Sequence, residues 1–322
     1  MGVSIFQTIP YFNKSLDFSM IYSSLNHQAL FYAFRYLTCI ALLALLTPNT
    51  VHAKTVIYEG VTEFEWVAKK IRKETESRLG STLVVFDIDD TLLESKNFFG
   101  SDIWYNWQRG RSVLDQNGNS IQIESEDVML CIYAKLGTLY ELSNFKVTDS
   151  KTPDTITKLQ QMFDTMALTS RSPDYRPGTE RELRDAGISF KHEHLMSPHL
   201  ALVYDFSDSV DGSPRPISYS NGIVMSTGLN KGRVLRDLLR RIDRSYTNIF
   251  FIDDGRHNVD NMKEEYSDNP DTHVSIFHYT RVPKATSAEK IAKAREASRE
   301  FNEFIRAAFP DRFQEFAKNK CD

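Results

Sequence analysis

Thr82-Leu83-Val84-Val85-Phe86-Asp87-Ile88-Asp89-Asp90-Thr91-Leu92 joins a short uncharged run, rich in β-branched and aromatic side chains, to three carboxylates. The first five residues predict a strand buried on both faces, as in a parallel sheet, because a half-exposed strand would alternate with polar residues. Residues two apart on extended backbone point the same way, so Asp87 and Asp89 can share one site. In an open α/β sheet ligands bind beyond the carboxyl ends of the strands. The rival reading of the three acids is an Asp-rich turn.

Outward from this stretch the pattern repeats. Apolar runs recur at Met166–Leu168, Asn248–Ile252 and Val274–Phe277. Helical spacing is read over 62–79 with Gly80 as a stop, over Glu180–Ala186 opened by a Thr179-x-x-Glu182 capping box, and over Lys231–Ile242 with Asn230 as N-cap. Strands alternating with helices predict a doubly wound, mostly parallel α/β sheet. Two stretches stand outside the alternation. Residues 94–164 form an insertion, expected to be a largely helical cap, that opens with aromatic-rich Phe98–Trp107 and holds an amphipathic helix near 128–142. Residues 191–226 carry a hairpin signal at Asn221-Gly222. The core is thus expected to comprise 54–93 and 165–322, ending in a helix over 287–309 with an apolar face that includes Ile291, Ala294, Phe301 and Ile305.

The N-terminus reads as a leader. Arg35 precedes an uncharged stretch from Tyr36 to Thr47, and Val51-His52-Ala53 ends in a small residue before Lys54. That order predicts a signal peptide over 1–53, cleaved after Ala53, and a secreted or periplasmic protein without stable membrane insertion after cleavage. An uncleaved anchor is the alternative, although a span of about 20 apolar residues would take Arg35 into the membrane. Met20 is a second possible start. Composition excludes other classes. In 322 residues, 41% are hydrophobic and 25% charged, which is ordinary for a globular protein, and the net charge of −4 without a basic block argues against a nucleic-acid partner. Cys39, Cys131 and Cys321 are too scattered for a zinc site, and whether Cys131 and Cys321 pair is left open.

Other strand ends carry chemistry too. Leu168 leads to Thr169-Ser170-Arg171, and Ile252 to Asp253-Asp254-Gly255-Arg256-His257-Asn258. Lys231 opens a helix, where its charge opposes the dipole, so a bound anion is the better reason for it.

In this order, DxDxT after a strand, Thr-Ser after a second, Lys at a helix start and Asp-Asp after a further strand, the chain resembles the haloacid dehalogenase superfamily. It looks closer to secreted acid phosphatases of that superfamily, and to poorly characterised relatives in host-associated bacteria, than to cytosolic metabolic members. The resemblance covers about 60–93, 165–190 and 226–282. It implies a Mg²⁺-dependent phosphomonoester hydrolase in which Asp87 takes the phosphoryl group and Asp89 acts as general acid and base. The Mg²⁺ ligands it implies are Asp87, the Asp89 carbonyl and Asp254, supported by Asp253. Thr169, Ser170 and Lys231 would hold the phosphate, with Arg171 either reaching substrate or forming a structural ion pair. Asn258 stands where relatives often have Asp. The implied partner is a small phosphorylated substrate under a closing lid, while phosphotransfer, action on a phosphoprotein and a non-catalytic binding role remain alternatives. Weaker signals are His192, His194 and His199 as a second metal group or a loop, His257 at the substrate, and Trp104, Tyr105 and Trp107 as substrate contacts or cap core.

Overall fold

The strand expected at Thr82–Phe86 forms over those residues, with every side chain buried. Its alternation sorts the interior into two layers. Val84 and Phe86 pack with Phe64, Val67 and Ile71 on one face, while Leu83 and Val85 meet Val234, Leu235, Leu238 and Met262 on the other. Full burial of each such apolar side chain contributes about 1.5–3 kcal/mol. In this computed structural model the described residues are 54–190, 195, 201–208 and 212–321. The leader and His192, His194 and His199 therefore lie outside the described residues.

The central sheet has eight strands: β1 (Thr55–Val61), β2 (Thr82–Phe86), β3 (Asp164–Thr169), β4 (Leu202–Phe206), β5 (Arg215–Ser220), β6 (Ile223–Met225), β7 (Asn248–Asp253) and β8 (His273–Tyr279). Their order is β1-β8-β7-β2-β3-β6-β5-β4. The first six run parallel, and β5 and β4 close one edge as an antiparallel pair. The 191–226 stretch, which stands outside the strand–helix alternation, supplies three strands of this sheet. Its hairpin turn is as expected: Asn221 and Gly222 both take positive φ, 52° and 73°, and a Cβ on Gly222 would lie 2.5 Å from the Phe190 carbonyl oxygen.

The helices are α1 (Phe64–Ser77), α2 (Asp102–Gln108), α3 (Ile132–Leu142), α4 (Thr152–Gln160), α5 (Arg176–Asp185), α6 (Lys231–Arg241), α7 (Arg256–Tyr266), α8 (Ala288–Ala308) and α9 (Pro310–Ala317). Asn230 caps α6, its side chain accepting from the Arg233 amide at 3.1 Å. The Thr179 capping box does not form. α5 begins earlier, at Arg176, so Thr179 sits inside it and donates to the Tyr175 carbonyl, which frees Glu182 for another partner. No helix among the described residues is long and apolar enough to cross a membrane.

The insertion springs from an antiparallel pair, Leu93–Ser95 with Phe145–Val147. It mixes α2 and α3 with a ribbon, Val113–Asp115 and Ser120–Ile121, whose third strand, Ala285–Thr286, comes from the C-terminal segment. Trp104 and Trp107 are buried to 0% and 1% exposure among Phe99, Met129 and Leu136, so they are core and not substrate contacts. Tyr105 is half-buried, with its hydroxyl 3.2 Å from that of Tyr133.

The tail clamps the insertion. Ser287 caps α8, and Ile291 and Ala294 join the insertion's core. Arg295 pairs with Asp127 at 2.7 Å, and the Lys135 ammonium donates to Asn302 at 2.9 Å. α9, which the sequence did not reveal, brings Phe316 beneath the Cys131–Cys321 disulfide. The insertion is thus tied to the C-terminal tail as well as to the core strands from which it springs. The bridge spans 190 residues of sequence, and removing such a constraint on the unfolded chain typically costs about 2–4 kcal/mol. Cys131→Ser is expected to lower stability by that amount in urea unfolding and to abolish the effect of added reductant. A reductant effect persisting in the variant would contradict it.

Candidate active site

Four parallel strands deliver their carboxyl ends to one place. β2 leads straight into Asp87, whose amide donates to the Ile252 carbonyl of β7 at 2.9 Å, locking the two acid-bearing strand ends together. The chain then turns tightly, with the Leu92 and Leu93 amides both on the Ile88 carbonyl and Asp90 at φ 54°. That left-handed conformation is one Asp tolerates better than most residues. The turn sends Asp89 and Asp90 to different partners.

Lys231, at the first position of α6 and fully buried, donates to Asp87 Oδ1 at 2.5 Å and to Asp253 Oδ2 at 2.7 Å. The sequence argument that an anion must explain this lysine is met by two carboxylates. Asp253 is fully committed, since its Oδ1 also accepts from the Gly255 amide at 2.8 Å and from Asn258 Nδ2 at 3.0 Å. Asn258 thus orients Asp253 by donating, which an Asp in its place could not do when ionised. The Thr91 hydroxyl lies 3.4 Å from both Asp87 Oδ2 and Asp254 Oδ1 and accepts from the Asp254 amide at 3.0 Å. Asp87 Oδ2 and Asp254 Oδ1 are therefore the two carboxylate oxygens that face one another's side of the cluster without a lysine on them.

Asp89 is held by Arg171, which donates Nε to Oδ2 at 2.9 Å and Nη2 to Oδ1 at 2.7 Å. The remaining nitrogen, Nη1, donates to Glu182 at 2.7 Å and Thr179 at 3.0 Å, and the guanidinium lies 3.9 Å from the Tyr140 ring centroid. The side chain is 2% exposed. Of the two readings of Arg171, the substrate phosphate contact is corrected to the ion pair, because every guanidinium nitrogen already serves a protein acceptor. Thr169 is buried at the end of β3 with its hydroxyl accepting from the Arg171 amide at 3.2 Å, while Ser170 beside it is exposed. His257 is exposed next to the acid pair.

Sequence reasoning missed three members. Lys284 donates to Asp90, to Asp102 at 3.1 Å and to Asp254 at 2.6 Å. Asp90, in the stretch after β2, and Asp102, in the insertion, join it here. Lys284 follows the end of β8, so the strand-end rule applied to one more strand would have pointed to it. Nothing in the sequence marked Asp102, which the insertion brings in on α2.

Burial pushes the Asp87 carboxyl well above the usual carboxylate range, opposed by Lys231 and reinforced by Asp253 and Asp254. Burial likewise raises Asp253 against Lys231 and drives Asp90 up to about 7 against Lys284. Seven acids surround three cations here, and unit like charges 4 Å apart repel by ~4 kcal/mol at an effective dielectric near 20. Asp87, Asp253 and Asp254, and separately Asp90, Asp102 and Asp254, each bring one ligand oxygen within 4.8 Å of the others. These buried Asp clusters can hold a metal ion, and an all-oxygen donor set suits a hard cation.

The fold and site define a doubly wound α/β protein with a carboxylate cluster at the carboxyl ends of its parallel strands. The chain belongs to the DUF2608 family, described as a protein of unknown function, whose model matches residues 61–309 and so spans every residue of this cluster. No curated protein matches the chain. Among solved structures, the hypothetical protein XCC2798 from Xanthomonas campestris is similar over 71% of this chain and 88% of that chain at 15% identity, with a TM-score of 0.24, too low to bear on fold or function.

Proposed function

We propose that the chain is a Mg²⁺-dependent phosphomonoester hydrolase of the haloacid dehalogenase superfamily, exported from the cytoplasm, with the insertion as its cap. The observation that carries the proposal is the meeting of Asp87, Asp89, Asp254 and Lys231 at adjacent parallel strand ends, with Lys231 bonded to Asp87. A cluster this acidic repels a phosphate unless a cation accompanies it, which supports a divalent ion as part of the reaction.

Asp87 Oδ2 and Asp254 Oδ1 would hold the ion with the Asp89 main-chain carbonyl, and the ion would supply charge neutralisation for the transferring phosphoryl group. Asp87 attacks phosphorus and the bond to the leaving oxygen breaks, giving an aspartyl phosphate and an alcohol. Asp89, held in place by Arg171, gives the leaving oxygen its proton and then takes one from the water that cleaves the acyl phosphate. Lys231 fixes the orientation of the Asp87 carboxylate through Oδ1. Thr169, whose hydroxyl accepts from the Arg171 amide and keeps its own proton to donate, and the Ser170 amide bind phosphoryl oxygens. Asp102 is drawn to the core acids through Lys284, so the insertion stands over the site, which favours small substrates. The disulfide suits an oxidising compartment, in keeping with export.

The test is a panel of nucleotides, sugar phosphates, phosphotyrosine peptides and intact phosphoproteins assayed with Mg²⁺ and after chelation. Turnover of small esters that chelation removes and Mg²⁺ restores is expected. Absence of turnover across the panel with Mg²⁺ present would contradict the proposal, and equal turnover of intact phosphoproteins would contradict its size limit.

A further inference from the structure

We propose that Lys284 is a positioning residue that occupies a second cation place in the site and so limits the acid cluster to one divalent ion. The inference rests on the divalent-ion site proposed above and goes beyond it.

The two acid groups share Asp254. In one, Lys231 binds Asp87 and Asp253 and leaves Asp254 Oδ1 on the side of Asp87. In the other, an ammonium with three donors meets three carboxylates, Asp90, Asp102 and Asp254, each through its Oδ2. The lysine is thus matched to its cage in number as well as charge. Its backbone is also held. Arg281, three residues earlier, donates to the Thr148 carbonyl at 2.6 Å and to the Thr62 carbonyl at 2.8 Å, and Ala285–Thr286 immediately after pairs with Val113–Asp115 of the insertion. The segment is pinned to the core on one side and to the insertion on the other, which fixes the ammonium between them.

Paired metal sites of phosphoryl-transfer enzymes place two divalent ions about 3.5–4 Å apart, bridged by shared carboxylates. A carboxylate that faces one cation place with Oδ1 and another with Oδ2 is such a bridge. Here the second place holds a single positive charge supplied by the chain. Two consequences follow. The site needs only one ion from solution, and the same ammonium ties Asp102 of the insertion to Asp90 and Asp254 of the core, so the insertion's placement over the site does not depend on a second metal.

Binding of Mn²⁺ alone, counted by the electron paramagnetic resonance signal of the free ion, tests this without any turnover. Wild-type protein is expected to bind one ion per chain, Lys284→Gln two, and Lys284→Arg one, since arginine restores the charge. Circular dichroism checks that each variant is folded. One ion in Lys284→Gln, as in wild type, would overturn the proposal, as would two in the wild type, a result that needs no variant. Two ions in Lys284→Arg would overturn it as well, by removing the role of charge. No ion in wild type but one in Lys284→Gln would uphold Lys284 as a resident cation while contradicting the divalent-ion reading. No ion in either would contradict both.

Discussion

Asp87→Asn is expected to lower kcat for small phosphomonoesters by on the order of 10⁴-fold or more, the scale seen when a covalent nucleophile is removed from a working constellation. The amide keeps the volume and accepts from Lys231 through its oxygen, so the β2 end and its bond to the Ile252 carbonyl survive. It cannot form an acyl phosphate. Far-UV circular dichroism should match that of wild type. The replacement also removes one of the crowded negative charges around Lys231, so no large loss of Tm is expected. A variant that turned over within tenfold of wild type would show that the carboxylate is not the attacking group.

The second large effect falls on stability and activity together. Arg171→Met leaves Asp89 without its bidentate partner and Glu182, whose side chain is fully buried, with only the Arg181 guanidinium at 4.0 Å. Breaking a buried pair in this way costs roughly 3–5 kcal/mol. Tm is expected to fall by about 10 °C, the shift such a loss produces in a domain of this size. Burial already holds Glu182 up to about 7 despite Arg171. Adding Glu182→Gln to Arg171→Met should therefore recover part of the loss, because the buried carboxyl that has lost its main partner, and must either take up a proton or stay charged at a cost, is gone. Activity should not recover with it, because Asp89 would still lack the group that aims it. Arg171→Lys should rescue little, since one ammonium cannot reproduce the two parallel bonds to Asp89. Equal losses in the single and double variants would remove the argument that Glu182 is destabilised by charge.

What the sequence revealed and what it hid follow from the range of the interactions concerned. β2, β3, β7 and β8 were legible because burial on both faces is written into adjacent residues as continuous apolar runs. The acids at their ends were legible because strand direction fixes where they emerge. Lys231 stood out because its charge conflicts with a local field. By contrast, the Thr179-x-x-Glu182 pattern gave a false helix start: its letters match a capping box, but the Arg171 guanidinium, eleven residues from Glu182, claims both side chains. Arg171 itself could not be assigned between substrate and ion pair, because the choice depends on where α5 packs. The antiparallel edge of β5 and β4 is not legible as part of the sheet because its sequences, Arg215–Ser220 and Leu202–Phe206, mix polar and charged residues with apolar ones and lack a continuous apolar run. Asp102 and Lys284 belong to the site only because a clamped insertion and the segment after β8 converge beside Asp254, where Lys284 donates to Asp102, 182 positions away in sequence. Trp104 and Trp107 were ambiguous for a related reason: spacing puts them on one face, but only the docking of α8 and α3 decides that this face is interior.

The central claim is that Asp87 carries the phosphoryl group, and the most direct measurement is rapid acid quench during turnover of a ³²P-labelled phosphomonoester, followed by peptide mapping. The expected result is label released by hydroxylamine, as for an acyl phosphate, on the peptide that contains Asp87, and none on the Asp87→Asn protein. Label on a different residue, or steady turnover with no covalent label at the earliest quench times, would contradict the account.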